Sequence, residues 1–466
     1  MERYIKWFMD RIGPNKNQLH IYPGHPELEL ALYKLYQYTG NNQYLEFMKY
    51  ILMERGKQPS FLLKDTGYGE QYHDKWFALE YHQAHKPILE QTEAVGHAVR
   101  AMYLYSGMAD LAKTLDDETL FKTLKVLWAD VTTKKMYITG AIGSDEHGEG
   151  FSIAYDLPND RAYAETCASI GLFMWARRML KLELNSDYAD VMELALYNGI
   201  SSGMSEDGKQ YFYVNPLEVN PAKVHQRYDL KHVRSSRVTW FGCACCPPNV
   251  ARILTSLEKY SYDISDDSNS IAIHLYLCGQ IIMSDDSVWN ITGKYLTDGK
   301  IEITYSGEEK DFTLRLRNPG WSTACEIRIN GLRIKAESEQ GYFYILRKWK
   351  NGDTVQLKFG ITAQLVYANT YVEDDAGKVA VMRGPVVFCL EEADNGKNLS
   401  ELMIGTIESH CENSVILNGY REHTMDSIAL YSTNPPSIEE TTIKAIPYSH
   451  WGNTGEGEMK VWVRKV

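Results

Sequence analysis

The chain has 466 residues with 44% hydrophobic and 24% charged side chains, which is ordinary for a soluble protein of two or three domains. Its formal net charge of −12 argues against nucleic-acid binding, because no basic field would meet the phosphates. No apolar run reaches the ~18 residues of a membrane span, and the opening MERYIKWFMDRIGPNK lacks the apolar core of a secretion signal.

Up to about residue 262 the sequence has the pattern of helices. Apolar residues recur at spacings of three and four, between segments marked by Gly or by Asn and Asp. The predicted helices span residues 2–12, 26–38, 42–55, 88–112, 117–132, 167–182, 186–203 and 248–261. A series of helices of this length predicts either a toroid of paired helices or an irregular bundle.

After about residue 265 the apolar period changes to two, which is typical of strands. Short alternating runs such as KIEITYSG, DFTLRLRN and DTVQLKFG are separated by turn signals, including Asn330-Gly331 and Asn351-Gly352. This pattern predicts a β-sandwich region over 263–466, with one or two sandwiches. Residues 394–440 are less patterned and are predicted to form a long loop region.

Two distant segments carry a candidate metal site. The stretch GEGFSIAYDLPNDRAYAETC ends in Glu165 and Cys167, and CACCPPN supplies Cys245 and Cys246. One acid and three thiols form a four-ligand set of the kind that Zn²⁺ prefers. Two alternatives stay open, because buried cysteines are commonly inert packing residues and a vicinal Cys-Cys pair can form a strained disulfide. The free thiols favour a reducing, cytoplasmic location.

The spacing of these ligands predicts their local conformation. Glu165 and Cys167 would diverge on a helix but project from one side of an extended segment, so we expect a helix to begin near Ala168. Pro247 favours an extended Cys246, and Pro248 can then open the next helix. Both thiol pairs would lie beside helix N-termini, where the helix dipole favours thiolate over thiol.

Further residues are candidates for ligand contact, although a lone histidine is more often a structural residue. Glu149, just upstream of the first ligand pair, is a candidate proton donor. His97 is predicted to lie one helical turn after Glu93, on the same face. His25 precedes Pro26 at a predicted helix start, and Tyr213 lies in YFYVNPLE.

Six motifs together resemble glycoside hydrolase family 127, whose type activity is β-L-arabinofuranosidase. They are HGEGF, YDLPNDRAYAETCASIG, CCPPN, EQTEAVGHAVRAMYL, YPGHPELELAL and AIPYSHWGNTGEGEMKVW. The resemblance covers nearly the whole chain. It implies an (α/α)6 barrel over residues 1–262, followed by β-sandwich domains.

The resemblance also implies residue roles in a retaining hydrolysis at a zinc-bound cysteine. Cys245 matches the nucleophile and Glu149 the general acid/base, with Glu146 as the neighbouring alternative acid. The zinc ligands match Glu165, Cys167, Cys245 and Cys246. Sugar-contacting positions match His25, His97 and Tyr213.

One departure concerns the helices. Family members carry a longer helical stretch before the segment matching YPGHPE, and this sequence predicts about eight helices where six pairs are needed. Either the sequence is a fragment or the barrel is open on one side. Two other functions stay open: a zinc-stabilised carbohydrate-binding or scaffold protein without catalysis, and a hydrolase for another sugar. The sequence also leaves open whether the β-domains form a homodimer.

Overall fold

The computed structural model describes residues 1–63, 79–423 and 430–466. We number its α-helices in chain order. They are α1 (Glu2–Met9), α2 (Glu27–Thr39), α3 (Asn42–Glu54), α4 (Ala98–Leu115), α5 (Glu118–Asp130), α6 (Thr166–Leu182), α7 (Ser186–Leu194), α8 (Pro221–Gln226), α9 (Cys246–Leu254), α10 (Glu258–Ser261), α11 (Tyr295–Asp298) and α12 (Glu392–Asn395). Within the described part, none of them is long and apolar enough to cross a membrane.

The predicted helix 88–112 is wrong over its first ten residues. The α-helix there is α4 alone, after a single 3-10 turn at Ile88–Glu90, and Gly96–His97 forms a two-residue strand, β1, paired with Gly150–Phe151, β2. Gly96 has a φ of +66°, and a Cβ at this position would lie 2.0 Å from the Glu80 carbonyl oxygen. The close approach of the backbones therefore requires glycine and prevents a continuous helix. Glu93 consequently does not share a helix face with His97.

Two central helices organise the helical part. α4 and α6 are buried along nearly their whole length, unlike the outer helices, which each have an exposed face. They pack together in one hydrophobic core with α2, α3, α5 and α7. Both begin at the same cavity, because His97 is the N-cap of α4 and Glu165 is the N-cap of α6.

The remaining strands form three sheets. Continuing the numbering, they are β3 (Glu218–Val219), β4 (Tyr262–Ile264), β5 (Ser270–Ile273), β6 (Gly279–Ile282), β7 (Val288–Lys294), β8 (Lys300–Ser306), β9 (Lys310–Arg317), β10 (Cys325–Ile329), β11 (Leu332–Ile334), β12 (Glu337–Glu339), β13 (Tyr342–Trp349), β14 (Thr354–Phe359), β15 (Ala363–Val366), β16 (Lys378–Arg383), β17 (Val386–Glu391), β18 (Leu402–His410), β19 (Val415–His423), β20 (Ser437–Pro447), β21 (Met459–Lys460) and β22 (Val463–Lys465). β3 belongs to the helical part of the chain and joins the third sheet.

The first two sheets share one hydrophobic core. The six-stranded sheet has the order β11-β10-β14-β8-β7-β6 and the five-stranded sheet the order β12-β13-β9-β5-β4. Apolar side chains of both sheets, among them Trp289, Ile303 and Leu314, form one buried cluster. The turn at Asn330-Gly331 connects β10 and β11 with φ of +49° and +79°, as predicted for an Asn-Gly hairpin.

The third sheet closes on itself. Its strand order is β15-β16-β22-β18-β19-β20-β17-β21-β3, and an additional β16–β17 pairing joins six of these strands into a barrel. A second sandwich in this region was therefore a wrong prediction. The predicted loop 394–440 is also wrong, since β18, β19 and the start of β20 occupy much of it, and residues 424–429 lie outside the described residues. The β-bulges in the β18–β19 pairing interrupt the alternation that marks a strand in a sequence.

A buried ion-pair network joins the helical part to the first two sheets. The Arg317 guanidinium on β9 donates to Glu193 Oε1 at 2.5 Å and also to Asp190, both on α7. Tyr295 and Trp321 donate to the same Glu193 carboxylate, each at 2.8 Å. Arg317 and Glu193 are completely buried, so each charge depends on its partner.

We expect Arg317→Met to lower the free energy of unfolding by about 3–5 kcal/mol, because the Glu193 carboxylate would stay buried without its cation. The apparent Tm from circular dichroism measures the change. Arg328→Met is the matched control, since Arg328 forms an exposed pair with Glu326 and its loss costs at most about 1 kcal/mol. Equal Tm values for the two variants would contradict a stabilising role of the buried network.

Candidate functional site

A cavity of about 760 Å³ opens at the N-termini of α4, α6 and α9. It contains every predicted site residue except Cys246, which is buried directly behind the wall. The predicted residues on its surface are His25, His97, Glu149, Glu165, Cys167, Tyr213 and Cys245. The structure therefore brings segments that are far apart in the chain to a single cavity.

The metal-ligand candidates lie at two helix starts, as predicted, but each helix begins two residues earlier than expected. Glu165 has extended backbone at the N-cap of α6, and Cys167 lies in the first turn. α9 begins at Cys246, so the prediction of an extended Cys246 is wrong. Pro247 is tolerated after it because the first turn of a helix needs no intrahelical N–H bond. Glu165 is fixed further by a backbone bridge to Val214.

The four candidate ligand atoms converge. Cys167 Sγ lies 3.5 Å from Cys246 Sγ, and Cys245 Sγ lies 3.7 Å from Cys246 Sγ. Glu165 Oε1 is 3.5 Å from the sulfur of Cys245 and 3.6 Å from that of Cys246. Sulfur ligands of a tetrahedral metal with ~2.3 Å bonds lie about 3.8 Å apart, so the donor set fits one ion of this size. These three cysteines are free thiols, so the alternative of a vicinal disulfide does not hold.

The electrostatics of the cluster favour a cation. Burial raises the pKa of Glu165 well above its ordinary value, and its Oε2 accepts no hydrogen bond from any described residue. Hydrogen bonds from the thiols of Cys167 and Cys246 lower the pKa of Cys245, and the Tyr213 hydroxyl adds to this effect. Burial raises the pKa of Cys246 in turn. These shifts favour the thiolate at Cys245 over the thiolate at Cys246.

Glu149 and His97 form a pair at the edge of the cavity. His97 Nδ1 accepts from the Arg100 backbone N–H, so Nε2 carries the proton and faces Glu149 Oε2 at 3.2 Å. The β1–β2 pairing sets this geometry, since His97 lies directly opposite Gly150. The Glu149 backbone has a φ of +51°, after Gly148 at +70°, and this tight turn directs the carboxylate to the histidine.

The protonation of Glu149 is set by opposing effects. Burial acts to raise its pKa, but the hydrogen bond and charge of His97, with a hydrogen bond from Tyr163, bring the pKa below its ordinary value. The alternative acid Glu146 is not among the described residues of the cavity wall. Its carboxylate is 56% exposed and lies 3.9 Å from His232 Nδ1. The geometry therefore favours Glu149 over Glu146 as the proton-transfer residue.

His25 and Tyr213 line the cavity with different neighbours. The His25 ring lies 5.4 Å from the Tyr103 ring and 6.5 Å from the His97 ring, whereas Tyr213 Oη is 3.1 Å from Cys245 Sγ. Two arginines hold the loop that carries His25. Arg55 donates to the Pro23 carbonyl at 2.8 Å, and Arg100 donates to the Gly24 carbonyl at 3.1 Å.

Several cavity residues do not follow from the sequence patterns. Arg252 donates to the Tyr103 hydroxyl at 2.9 Å and to Glu27 Oε1 at 3.0 Å, and it forms one side of the wall. Tyr163 and His232 form another side, with their rings stacked 5.7 Å apart. Tyr163 precedes Glu165 by two residues, a spacing that would place both on one side of an extended segment and could have identified it, although Ala164 between them has a φ of +42°.

The family models describe the whole molecule in three parts. "Beta-L-arabinofuranosidase, GH127 catalytic domain" matches residues 1–259, which is more than half of the chain. The chain belongs to glycoside hydrolase family 127. The family's middle-domain model matches residues 270–361, and its C-terminal-domain model matches residues 363–464. The protein is thus a glycosidase.

Similar proteins extend this result. The "Non-reducing end beta-L-arabinofuranosidase" of Bifidobacterium longum subsp. longum is 38% identical over 97% of this chain and 72% of its own length. A crystal structure of a GH127 β-L-arabinofuranosidase from Geobacillus stearothermophilus T6 has a TM-score of 0.92 at 42% identity, covering all of this chain and 76% of its own. The GH127 β-arabinofuranosidase BT3674 has a TM-score of 0.87 at 34% identity, with coverage of 100% and 72%.

Proposed function

We propose that this glycosidase releases L-arabinofuranose from β-L-arabinofuranosides with retention of configuration, using Cys245 as nucleophile and Glu149 as general acid/base. The names of the relatives support the substrate. The observation that carries the mechanism is the position of Cys245 Sγ. It lies in the cavity that holds Glu149, and its sulfur and oxygen neighbours favour the thiolate. In most retaining glycosidases a second carboxylate has this role.

We further propose that the donor set holds Zn²⁺, with Glu165, Cys167, Cys245 and Cys246 as ligands. Three sulfurs and one carboxylate oxygen suit this ion better than Mg²⁺ or Ca²⁺, which prefer oxygen ligands. A bound zinc ion would keep the thiols deprotonated at neutral pH and would neutralise their accumulated charge. The orphaned Glu165 Oε2 and the short distances between the sulfurs support this assignment.

In the first step the Cys245 sulfur attacks the anomeric carbon, and the bond from that carbon to the leaving oxygen breaks. Glu149 gives its proton to that oxygen. In the second step Glu149 takes a proton from water, whose oxygen attacks the same carbon, and the carbon–sulfur bond breaks to release the Cys245 thiolate. The low pKa of Glu149 in the free site suits the second step. The proton that Glu149 takes from water in the second step leaves it protonated for the first step of the next turnover.

His25, His97 and Tyr213 are proposed to contact the sugar that carries the anomeric carbon. All three residues line the cavity that contains Cys245, and Tyr213 Oη lies within hydrogen-bond distance of Cys245 Sγ. The lowered pKa of His25, about 4 because of burial and the nearby Arg100, keeps this ring neutral at physiological pH. A neutral imidazole can both donate to and accept from sugar hydroxyls.

The proposed domain organisation places this chemistry in residues 1–262, as an (α/α)6-type toroid. Residues 263–466 form the β-region, with a β-sandwich of the first two sheets before the six-stranded barrel. The shared core of those two sheets and the paired central helices α4 and α6 support this division. The proposed location is the cytoplasm, where thiols stay reduced.

The purified protein should contain about one equivalent of zinc, measured by elemental analysis. Cys246→Ala should lose most of this metal and have a lower Tm, because one of four ligands is removed from a buried site. Cys389→Ala, which changes a buried cysteine in the β-region, should retain the full equivalent and serves as the control. Undiminished zinc in Cys246→Ala would refute the proposed ligand set.

Cys245→Ala should lower kcat by at least about 10⁴-fold while the circular dichroism spectrum stays that of a folded protein, because the atom that forms the covalent intermediate is removed. The control is Cys278→Ala, which changes an exposed cysteine of the β-region outside the cavity and should keep its turnover. Release of arabinose by Cys245→Ala at near the wild-type rate would remove Cys245 as nucleophile.

Glu149→Gln should lower kcat/KM for methyl β-L-arabinofuranoside by about 10²–10⁴-fold, since an alkoxide leaves poorly without a proton. The loss should be much smaller for a nitrophenyl glycoside, whose leaving group needs no acid. Glu146→Gln should leave both rates close to wild type. If Glu146→Gln were the variant with the leaving-group dependence, the two glutamates would exchange roles.

A further inference from the structure

A segment near the end of the chain packs on the segments that carry part of the cavity wall. Residues 448–456, which we call the strap, begin with a single 3-10 turn and continue as turns without a further helix or strand. The strap belongs to the motif AIPYSHWGNTGEGEMKVW, which the proposed chemistry does not use. It lies within residues 363–464, the part matched by the family's C-terminal-domain model.

The strap is hydrogen-bonded to residues 202–237 of the helical part at several points. The bonds outside Arg237 run from Tyr448 Oη to the Pro216 carbonyl at 2.9 Å, from the Glu206 N–H to Asn453 Oδ1 at 3.2 Å, between His225 Nε2 and Glu456 Oε1 at 2.8 Å, and from Ser235 Oγ to Glu456. Residues 202–237 include Tyr213 and the start of the wall segment 231–243. The strap therefore fixes a part of the chain that carries cavity residues.

Arg237 is the centre of this contact. Its side chain is buried and donates to the Ser202 carbonyl at 3.0 and 3.2 Å. It also donates to two carbonyls of the strap, Trp451 at 2.6 Å and Ser449 at 3.4 Å. These carbonyls replace the water that a guanidinium loses on burial. Arg237 thus joins the strap to the helical part from inside the contact.

Trp451 of the strap stacks on Phe212. The two ring centres are 4.5 Å apart with an angle of 13° between the planes, and both rings are buried. The Arg237 guanidinium lies 4.5 Å from the centre of the Phe212 ring, which adds a cation–π contact. Trp451 and Phe212 belong to one apolar cluster with Ala380 and Val387 of the barrel. The position of Phe212 is therefore set by the C-terminal part of the chain.

Phe212 is followed directly by Tyr213, whose hydroxyl lies 3.1 Å from Cys245 Sγ. The backbone of this pair is also attached to the start of α6, since Thr166 donates to both carbonyls, from Oγ1 to Phe212 and from N–H to Tyr213, each at 2.9 Å. Two consecutive residues thus contact different parts of the molecule. The Phe212 ring packs in the barrel cluster, and the Tyr213 ring lines the cavity.

We propose that Trp451 is a positioning residue for the reaction: through its stack on Phe212 it sets the distance between the Tyr213 hydroxyl and the Cys245 sulfur. The inference rests on the proposed function, and it gives the C-terminal part of the chain a role in catalysis. A hydrogen bond weakens steeply as its distance and angle depart from the optimum. A misplacement of ~1 Å that originates far from the reacting atoms can cost about 10²-fold in rate.

The test is a double-mutant cycle on Trp451 and Tyr213, with kcat and KM for methyl β-L-arabinofuranoside measured well below the lowest Tm of the four proteins. Trp451→Leu should lower kcat about tenfold, because the Tyr213 hydroxyl is displaced from the sulfur. In the Tyr213→Phe background the same substitution should change kcat by less than about twofold, since the hydroxyl that it displaces is already absent. Trp451→Phe, which keeps a ring for the stack, should recover most of the loss.

Trp289→Leu is the matched control. Trp289 is also fully buried, its indole nitrogen also has no hydrogen-bond partner among the described residues, and it lies in the core of the first two sheets. Its substitution should lower the Tm by a similar amount and leave kcat within about twofold of wild type. If Trp451→Leu does not fold, Phe212→Leu, which removes the other ring of the stack, replaces it in the cycle with the same expected result.

A tenfold loss of kcat in both the wild-type and the Tyr213→Phe backgrounds would assign Trp451 a general structural role and overturn the inference. A wild-type kcat in Trp451→Leu or in Tyr213→Phe would overturn it as well. These results leave the proposed function intact, because the wild-type enzyme still releases arabinose. A wild-type enzyme that does not cleave the arabinofuranoside would overturn the proposed function, and the inference with it.

Discussion

The crowding of four acidic groups in a buried space is the constraint on which the rest of the structure depends. Three sulfurs and a carboxylate oxygen lie within 4.8 Å of one another, most of them shielded from water. Four negative charges at these distances repel strongly in a medium of low dielectric constant, so they are compatible only with protonation or with a cation. The protein places these groups on helix starts, where the dipoles reduce the repulsion. The position of the cluster therefore coincides with the first residues of α6 and α9.

Much of the Cys/Glu cluster was predictable because the geometry of each of its two pairs is local. Glu165 with Cys167, and Cys245 with Cys246, are each close in sequence, and the start of a helix brings both members of a pair to one side. The start of α9 was less predictable. A proline favours extended backbone in the residue before it, but this is only a preference, and Cys246 before Pro247 is helical instead. The β1 strand was missed for a different reason. Its cause is the contact of Gly96 with the Glu80 backbone, which no local pattern records.

The residues that complete the cavity were hard to predict for the same physical reason. Arg252 and Tyr103 are joined by a hydrogen bond across 149 positions of chain, and the position of His232 depends on its contacts with Tyr163 and Arg161. Single polar residues in helices or loops carry no distinctive spacing. The bulged strands β18 and β19 were likewise hidden, because their pairing depends on partners elsewhere in the barrel.

The short strand β3 has a mechanical consequence. At one end of the segment 214–219, Val214 is bridged to Glu165 beside the sulfur atoms, and at the other end β3 pairs with β21 next to the barrel. This short segment therefore connects the Cys/Glu cluster to strand β21, more than 200 residues later in the chain. The backbone of Glu165 is thereby anchored to the sheet that contains the barrel as well as to the helical core.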